Sequence, residues 1–293
     1  MAKSLVTIGL PFRNPGEHFI LCIQSILAQT FDDWKLIAID DGSTDSSLKT
    51  IRAVRDSRIQ VLSDGESRGL ADRLNQITEL ADTEFLARMD ADDIMHPDRL
   101  ATQCIFLERH PEKSLAISSA YIIDEATDVI GIRRQDQPDL RLASVLRRAP
   151  FIHPTITARR TWFVQNPYRP DYTRAEDHEL WCRTCTRRTD FGILTRPFLF
   201  YRDREQAVSK YSMSCRTDRK IFRDYGPEHI GTAATLGLIA ISHAKEIVYE
   251  ISSRLGLERT WLAARNATIS GLELQEATDV LAFVKRTKLP ATV

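Results

Sequence analysis

The chain has 293 residues, and its 40 Lys+Arg balance 40 Asp+Glu to a formal net charge of zero. That length supplies ample core for one large domain or two small ones, and the charge balance argues against nucleic acid as a partner. No apolar run reaches the ~18 residues that a membrane span needs, and the start lacks the charged, apolar and small-residue succession of a signal peptide. The five cysteines (Cys22, Cys104, Cys182, Cys185, Cys215) are an odd, scattered set. They suit a reducing cytoplasm better than a disulfide framework.

In chain order, residues 5–10 read as a first strand stopped by Pro11. Asn14-Pro15-Gly16-Glu17 then opens a helix with Phe19, Ile20, Ile23, Ile26 and Leu27 at helical spacing. Residues 36–39 read as a second strand running into Asp40-Asp41-Gly42-Ser43-Thr44-Asp45. Gly42 permits a tight turn there, and Ser43, Thr44 or Asp45 can cap the next helix. A third strand is expected at 59–62, a helix at about 70–80 and a fourth strand at 85–89. Strands alternating with helices of this length predict a parallel, doubly wound sheet. Ligands of such sheets bind beyond the carboxyl ends of the strands. Residues 11–17, 40–45, 67–69 and 90–93 should therefore meet, and three of these four stretches carry acids.

The fourth strand ends in Asp90, Asp92 and Asp93. Three acids at a strand end repel one another unless a cation sits among them. Asp90 and Asp92 point the same way on an extended segment, so a hard divalent ion, Mn²⁺ or Mg²⁺, is the natural occupant. The competing reading is a solvated acidic turn capping a helix that starts near Pro97. No G-x-G-x-x-G follows the first strand and no G-x-x-x-x-G-K-[ST] occurs, which disfavours a dinucleotide fold or a P-loop.

Further on, a helix at 98–108 leads to β-like residues 114–123 and a hairpin out to 132. Beyond Pro138 the alternation fades: a helical LRLASVLRRA precedes a strand at 151–157, and a loop rich in Pro and Tyr spans 166–172. A helix follows from 174 with acids in its first turn, and then short strands at 191–194 and 198–201. From about residue 228 the chain reads as helical. Leu236, Ala240, Ala244, Ile247, Ile251 and Leu255 form an apolar stripe there, which packs on the rest, pairs two copies or lies on a membrane surface. Between Arg141 and Arg223, 18 Lys+Arg stand against 8 Asp+Glu, so this window carries +10 and the remainder −10. A basic region opposite an acidic one suits an anionic substrate. Cys182-x-x-Cys185 has no second pair at zinc spacing and reads as two half-buried helix cysteines.

VTIGLPFRNPGEHF with the helix and IDDGSTDSS that follow it, then SRGLADRLNQ, MDADD and AEDHELWCR, resemble the family 2 glycosyltransferases of GT-A fold, in order, over about residues 5 to 209. The resemblance implies an α/β, Rossmann-like, mostly parallel sheet flanked by helices, with a helical C-terminal extension. It divides the chain into a catalytic domain (1–227, with a nucleotide-sugar part at 1–133 and an acceptor part at 134–227) and the extension (228–293). The implied activity is hexosyl or N-acetylhexosaminyl transfer, with inversion, from a nucleotide-diphosphate sugar of the UDP-sugar kind to an acceptor hydroxyl. The acceptor would be a saccharide or lipid-linked saccharide of cell-surface polysaccharide or glycolipid synthesis. The expected location is the cytoplasm, up to the inner face of the plasma membrane.

Residue by residue, the resemblance sets the nucleotide against Pro11, Phe12, Arg13, Asn14, Glu17, Asp41 and Arg68. A buried carboxylate such as Asp41 is a sensible reader of a pyrimidine N–H, and Arg68 can stack on the base or bond it. Asp90 with Ala91 belongs to the ribose side, and Asp92 ligates the metal that bridges the diphosphate. Asp177 matches the base that takes the acceptor proton, and Glu176 orients it or touches the acceptor. His153 is expected near the acceptor, and Trp181 either stacks on a sugar ring or fills the core. One departure stands out. Relatives carry Tyr-Arg-x-His where this chain has Tyr201-Arg202-Asp203-Arg204. Arginine cannot ligate a metal but holds phosphate oxygens, so Arg202 and Arg204 are expected on the diphosphate. A nucleotidyltransferase would need a basic Gly-rich loop after the first strand, and LPFRNPGEH is not one. A non-catalytic sugar-nucleotide or glycan-binding module would have lost the base or metal carboxylates, yet Asp92 and Asp177 are both present.

Overall fold

The computed structural model describes residues 5–136, 138–185, 191–203, 208–255 and 267–290. Strands β1 (Val6–Phe12), β2 (Trp34–Asp40), β3 (Ile59–Ser63) and β4 (Phe85–Arg88) pair in parallel in the order β3-β2-β1-β4. Along β2, Leu36 and Ala38 join one apolar cluster while Ile37 and Ile39 join another. A strand buried on both faces needs helices on both faces, and parallel pairing supplies them. Helices α1 (His18–Leu27) and α2 (Ser47–Arg52) cover one face through Phe19, Ile23, Ile26 and Ile51. Helix α3 (Leu70–Leu80) covers the other through Leu74 and Ile77.

Because these four strands run the same way, the loops that follow them emerge at one edge. Gly42, with φ +75°, turns the loop after β2, and a Cβ there would lie 3.2 Å from the Glu66 backbone. Glycine alone lets the loops after β2 and β3 close on each other without strain.

The sheet changes character past Arg88. Strand β5 (Ile94–Met95) and helix α4 (Arg99–Arg109) lead to a hairpin of β6 (Leu115–Ile123) and β7 (Val129–Arg133). Strands β8 (Thr157–Arg159) and β9 (Phe191–Arg202) complete the order β4-β8-β6-β9-β5. β8 runs antiparallel to β4 and β6, whereas β9 runs parallel to β6 in the longest ladder. Two local expectations fail here. His153–Thr155 form a 3₁₀ turn and β8 begins only at Thr157, since Pro154 has no N–H for a ladder. The strands expected at 191–194 and 198–201 are one strand, whose register on β6 slips where Ser119 faces Pro197.

After the short helix α5 (Leu142–Val145), helices α6 (Arg160–Gln165), α7 (Glu176–Cys185) and α8 (Val208–Ile230) pack into the second apolar cluster through Trp162, Trp181 and Phe222, among others. The division expected between 227 and 228 falls inside α8. Helix α9 (Thr232–Arg254) folds back along α8 after Gly231, and α10 (Gly271–Arg286) sets Ala277, Leu281 and Val284 against Tyr121, Ile123 and Phe200. The apolar stripe of α9 does not pack on the catalytic half. Leu236, Ile247, Ile251 and Leu255 are 52–66% exposed, because α9 turns Thr235 and Ser242 toward α8 instead. Among the described residues, no helix is long and apolar enough to cross a membrane.

Candidate active site

A cleft of about 560 Å³ opens at the edge where β1 to β4 end. Pro11, Phe12, Arg13 and Asn14 line it from the first loop, Asp41 from the second, Arg68 from the third, and Asp90, Ala91 and Asp92 from the fourth. Side chains knit these loops together. Asn14, at φ +48°, takes hydrogen bonds on Oδ1 from the backbone N–H groups of Thr44 (2.7 Å) and Asp45 (3.2 Å), and Arg13 Nη1 donates to Ser67 Oγ at 2.6 Å. Glu17 stands outside this lining, exposed just before α1, so the nucleotide role expected of it has no support in the geometry.

Asp41 is a loop builder before it is a reader of ligand. Its Oδ1 accepts from Arg68 N (2.7 Å), Gly69 N (3.1 Å) and Arg73 Nε (2.9 Å). Its Oδ2 has only longer contacts, to Ser67 Oγ and Gly69 N at 3.2 Å. Arg73 is fully buried and also pairs with Asp64 at 2.7 Å. It was not among the expected residues, although it lies one helical turn past Gly69 in SRGLADRLNQ. The Arg68 guanidinium bends back onto Asp64 and Glu66, both at 3.0 Å.

In the acidic loop, Asp90 Oδ1 lies 2.9 Å from Arg88 Nη1. Asp93 is buried, accepts from Arg202 N at 2.8 Å on Oδ1, and has no partner on Oδ2. Its carboxyl is pushed well above the usual range by burial and then by the neighbouring charges of Asp92 and Asp90. Arg202 corrects an expectation. Its guanidinium donates to the carbonyls of Asp92 (Nε, 2.9 Å) and Asp124 and to Thr127 Oγ1, so it clamps the loop instead of reaching a diphosphate. Burial at 3% exposure is the physical reason, since a buried guanidinium must find acceptors inside the protein. Arg204 lies outside the described residues.

Among the described residues, no group of three or more His, Cys, Asp or Glu is arranged as a metal cage. Crowded carboxylates and one unpartnered buried oxygen nevertheless fit a cation that takes its remaining ligands from a bound phosphate, the usual mode for Mg²⁺.

Across the cleft, Glu176 begins α7 and lines the opening, though it is only 7% exposed. Burial, reinforced by Asp177, pushes its carboxyl up to about 7. Burial likewise raises Asp177. Asp177, next to Glu176 but itself outside this lining, accepts from His178 N at 2.8 Å, keeps one third of its side chain exposed, and sets Oδ2 3.9 Å from His153 Nδ1. Arg174, at φ +66°, and Lys210 add positive charge to this wall.

Both acceptor contacts expected from the sequence are corrected. Trp181 is 1% exposed, edge-on to Phe151 and stacked with Trp162, and so belongs to the core. His153 is 4% exposed, with Nε2 2.8 Å from Tyr168 Oη, because the 3₁₀ turn that holds it packs against β4, β6 and β9. The basic window is largely structural as well. Arg169 and Arg183 pair with Glu179, Arg219 with Glu246, Arg159 with Glu84, and Arg196 with Glu276.

Residues 7–186 match the family model described as glycosyl transferase family 2. EpsE of Bacillus subtilis (strain 168) is 32% identical over 186 residues, 61% of this chain and 66% of that protein. The UDP-Glc:alpha-D-GlcNAc-diphosphoundecaprenol beta-1,3-glucosyltransferase WfaP of Escherichia coli is 28% identical over 60% of this chain and 68% of its own. Among solved structures, Staphylococcus aureus TarS 1–349 in complex with UDP superposes with TM-score 0.59 at 14% identity, covering 96% of this chain and 80% of that one. The mannosyltransferase PcManGT from Pyrobaculum calidifontis, in complex with GDP-Man and Mn²⁺, superposes with TM-score 0.54 at 15% identity, covering 96% and 84%. Those two likenesses speak to the fold, which is the mostly parallel, helix-flanked sheet described above. With the model covering well over half of its length, the chain belongs to glycosyl transferase family 2 and is a glycosyltransferase of GT-A fold.

Proposed function

We propose that this enzyme moves a hexose or N-acetylhexosamine from a UDP-sugar to a hydroxyl of a lipid-linked saccharide, with inversion at the anomeric carbon. The observation that carries the reading is one cleft lined by Asp41, Asp90 and Asp92 on one wall and Glu176 on the other, although these residues are far apart in the chain. UDP as the nucleotide is supported by WfaP, which takes UDP-Glc, and by TarS, solved with UDP and with UDP-GlcNAc. WfaP also supports a lipid-diphosphate acceptor, which would put the enzyme at the cytoplasmic face of a membrane, in surface polysaccharide or glycolipid synthesis.

In this reading Asp41 Oδ2 takes the N–H of the base, the Ser67 hydroxyl turning aside, and Asp90 receives the ribose hydroxyls. Arg13, Arg174 and Lys210 balance phosphate charge, and Arg204 is assigned the same task. Asp92 would hold Mn²⁺ or Mg²⁺, as PcManGT binds Mn²⁺; the ion would act as a Lewis acid on the leaving diphosphate. Asp177 accepts the acceptor's hydroxyl proton as that oxygen bonds to the anomeric carbon. The bond to the diphosphate breaks on the opposite face, and its electrons leave with UDP. Glu176 holds the pair's geometry. The exposed stripe on α9 remains available to a second copy or to the membrane that bears the acceptor.

Thermal shift with Mn²⁺ and a panel of UDP-Glc, UDP-GlcNAc and GDP-Man tests the donor. A UDP-sugar should raise Tm and release UDP slowly by hydrolysis. Stabilisation by GDP-Man alone, or by none of the three, would overturn the donor assignment.

A further inference from the structure

We propose that His153 and Tyr168 are positioning residues for the base: the Tyr168 hydroxyl donates to His153 Nε2, and His153 Nδ1–H holds the Asp177 carboxylate in place for the acceptor. The proposal rests on Asp177 as the base of the reading above.

His153 is too deeply buried to touch a ligand, yet its Nδ1 has no hydrogen-bond partner. A buried imidazole nitrogen without a partner is costly and calls for an explanation. The nearest carboxylate oxygen is Asp177 Oδ2 at 3.9 Å, less than an ångström beyond a hydrogen bond. Catalytic hydrogen bonds are often long before substrate is bound and tighten in the complex. A slight rotation of the Asp177 carboxylate closes this one.

The tautomer follows from the partners. Nε2 lies 2.8 Å from Tyr168 Oη, and either atom of that contact can donate. If Nε2 carried the hydrogen, the bare lone pair of Nδ1 would face a carboxylate. With the hydrogen on Nδ1, the ring donates to Asp177 and the phenol donates to Nε2, so every group is matched. The charged groups that face the ring are the Arg88 guanidinium from β4 and the Asp177 carboxylate from α7, and the Trp181 ring closes one side at 5.7 Å. Burial and then Arg88 hold the imidazole well below its ordinary pKa, which agrees with a neutral donor.

Tyr168 is itself fixed. Asn75 of α3 donates to its carbonyl at 2.8 Å and accepts from its N–H at 2.9 Å. The chain of contacts therefore starts on the helix whose first residues line the donor side of the cleft and ends at the base. The acceptor proton ends on Asp177, while His153 and Tyr168 keep their own protons throughout.

Nitrogen chemical shifts of ¹⁵N-histidine-labelled protein read the tautomer directly, with His153 identified by its loss in His153→Asn. The expected result is a neutral Nδ1–H imidazole that does not titrate near the ordinary histidine value of about 6.5. An Nε2–H tautomer, or titration near that value, would overturn the proposal. Release of UDP from UDP-Glc or UDP-GlcNAc with Mn²⁺ supplies the second arm. His153→Leu should lower kcat on the order of tenfold or more with KM for the donor unchanged. His153→Asn, whose amide N–H can stand where Nδ1–H stood, should recover part of that loss, and Tyr168→Phe should show a smaller loss. Equal losses in the Leu and Asn variants that track their Tm would mean packing alone. If the wild type releases UDP from neither donor, the donor reading fails, and the nitrogen shifts still decide the hydrogen-bond chain.

Discussion

Arg88 and Asp90 leave the end of β4 as an ion pair, with Nη1 2.9 Å from Oδ1 and the guanidinium buried beneath the cleft. Burial alone would weaken the Arg88 charge, but Asp90, Tyr168 and Asp177 outweigh it and raise its pKa. One buried cation thus faces acids of both the donor wall and the base wall. Removing it leaves those acids uncompensated, and since Asp90 and Asp177 keep 28% and 33% of their side chains exposed, Arg88→Met should cost about 1–3 kcal/mol of stability. Urea unfolding measures this, and a loss below about 1 kcal/mol would mean that other groups balance the acids.

Asp92 lines the cleft in a loop of crowded carboxylates. Asp92→Asn should abolish the Mn²⁺ dependence of UDP binding and lower turnover on the order of 100-fold or more. Calorimetry of UDP with and without Mn²⁺ checks it. Chelation with EDTA should have the same effect on the wild type, and a metal-independent wild type would contradict the assignment.

The Glu176–Asp177 pair sets the pH profile. Burial, and then the neighbouring carboxyl, pushes Glu176 up to about 7, and burial raises Asp177. The base Asp177 must be free of its proton, and burial raises it, so the rise of turnover with pH should lie above the ordinary carboxylate range. Asp177→Asn should lower kcat about 10²–10⁴-fold at every pH. The Glu176 shift has a stability consequence. The folded state holds the Glu176 proton beyond the ordinary value of 4.5, so this contribution is complete below 4.5 and lost as pH rises toward about 7. Tm against pH for Glu176→Gln should lack that decline.

Glu179 is wholly buried on α7 and accepts from Arg183 Nε at 3.0 Å and Tyr225 Oη at 2.6 Å. Glu179→Ala removes the buried carboxylate that both Arg183 and Tyr225 bond and should cost about 3–5 kcal/mol. That loss should appear in unfolding, whereas a purely catalytic residue would leave stability intact.

The stripe of α9 gives the opposite expectation. Ile247 and Ile251 are 58% and 52% exposed, so Ile247→Glu and Ile251→Glu should change stability by no more than about 0.5 kcal/mol. A larger loss would mean that the stripe is covered in solution.

Local pattern carried much of the architecture. The four parallel strands were readable because β1, β2 and β4 are apolar on both faces, β3 carries Ile59, Val61 and Leu62, and the runs are bounded by Pro, Gly or Asp. The β6–β7 hairpin was readable from its spacing. Pro154 and Pro197 misled the reading of two segments because their effect depends on which strand lies alongside. The acids that line the cleft were legible, since ionisable groups at strand ends are conspicuous in a sequence. Arg73, Arg88 and Tyr168 were not, because their importance comes from burial against partners distant in the chain.

The amino-acid sequence by itself determined the parallel, doubly wound class of the sheet, the edge at which ligands gather and the acids that meet there, since hydrophobic period and strand-end chemistry are local properties. Only the tertiary structure decided which polar side chains face the opening. It turned Trp181, His153 and Arg202 inward and left the α9 stripe outside, because the direction of a side chain depends on what packs against it.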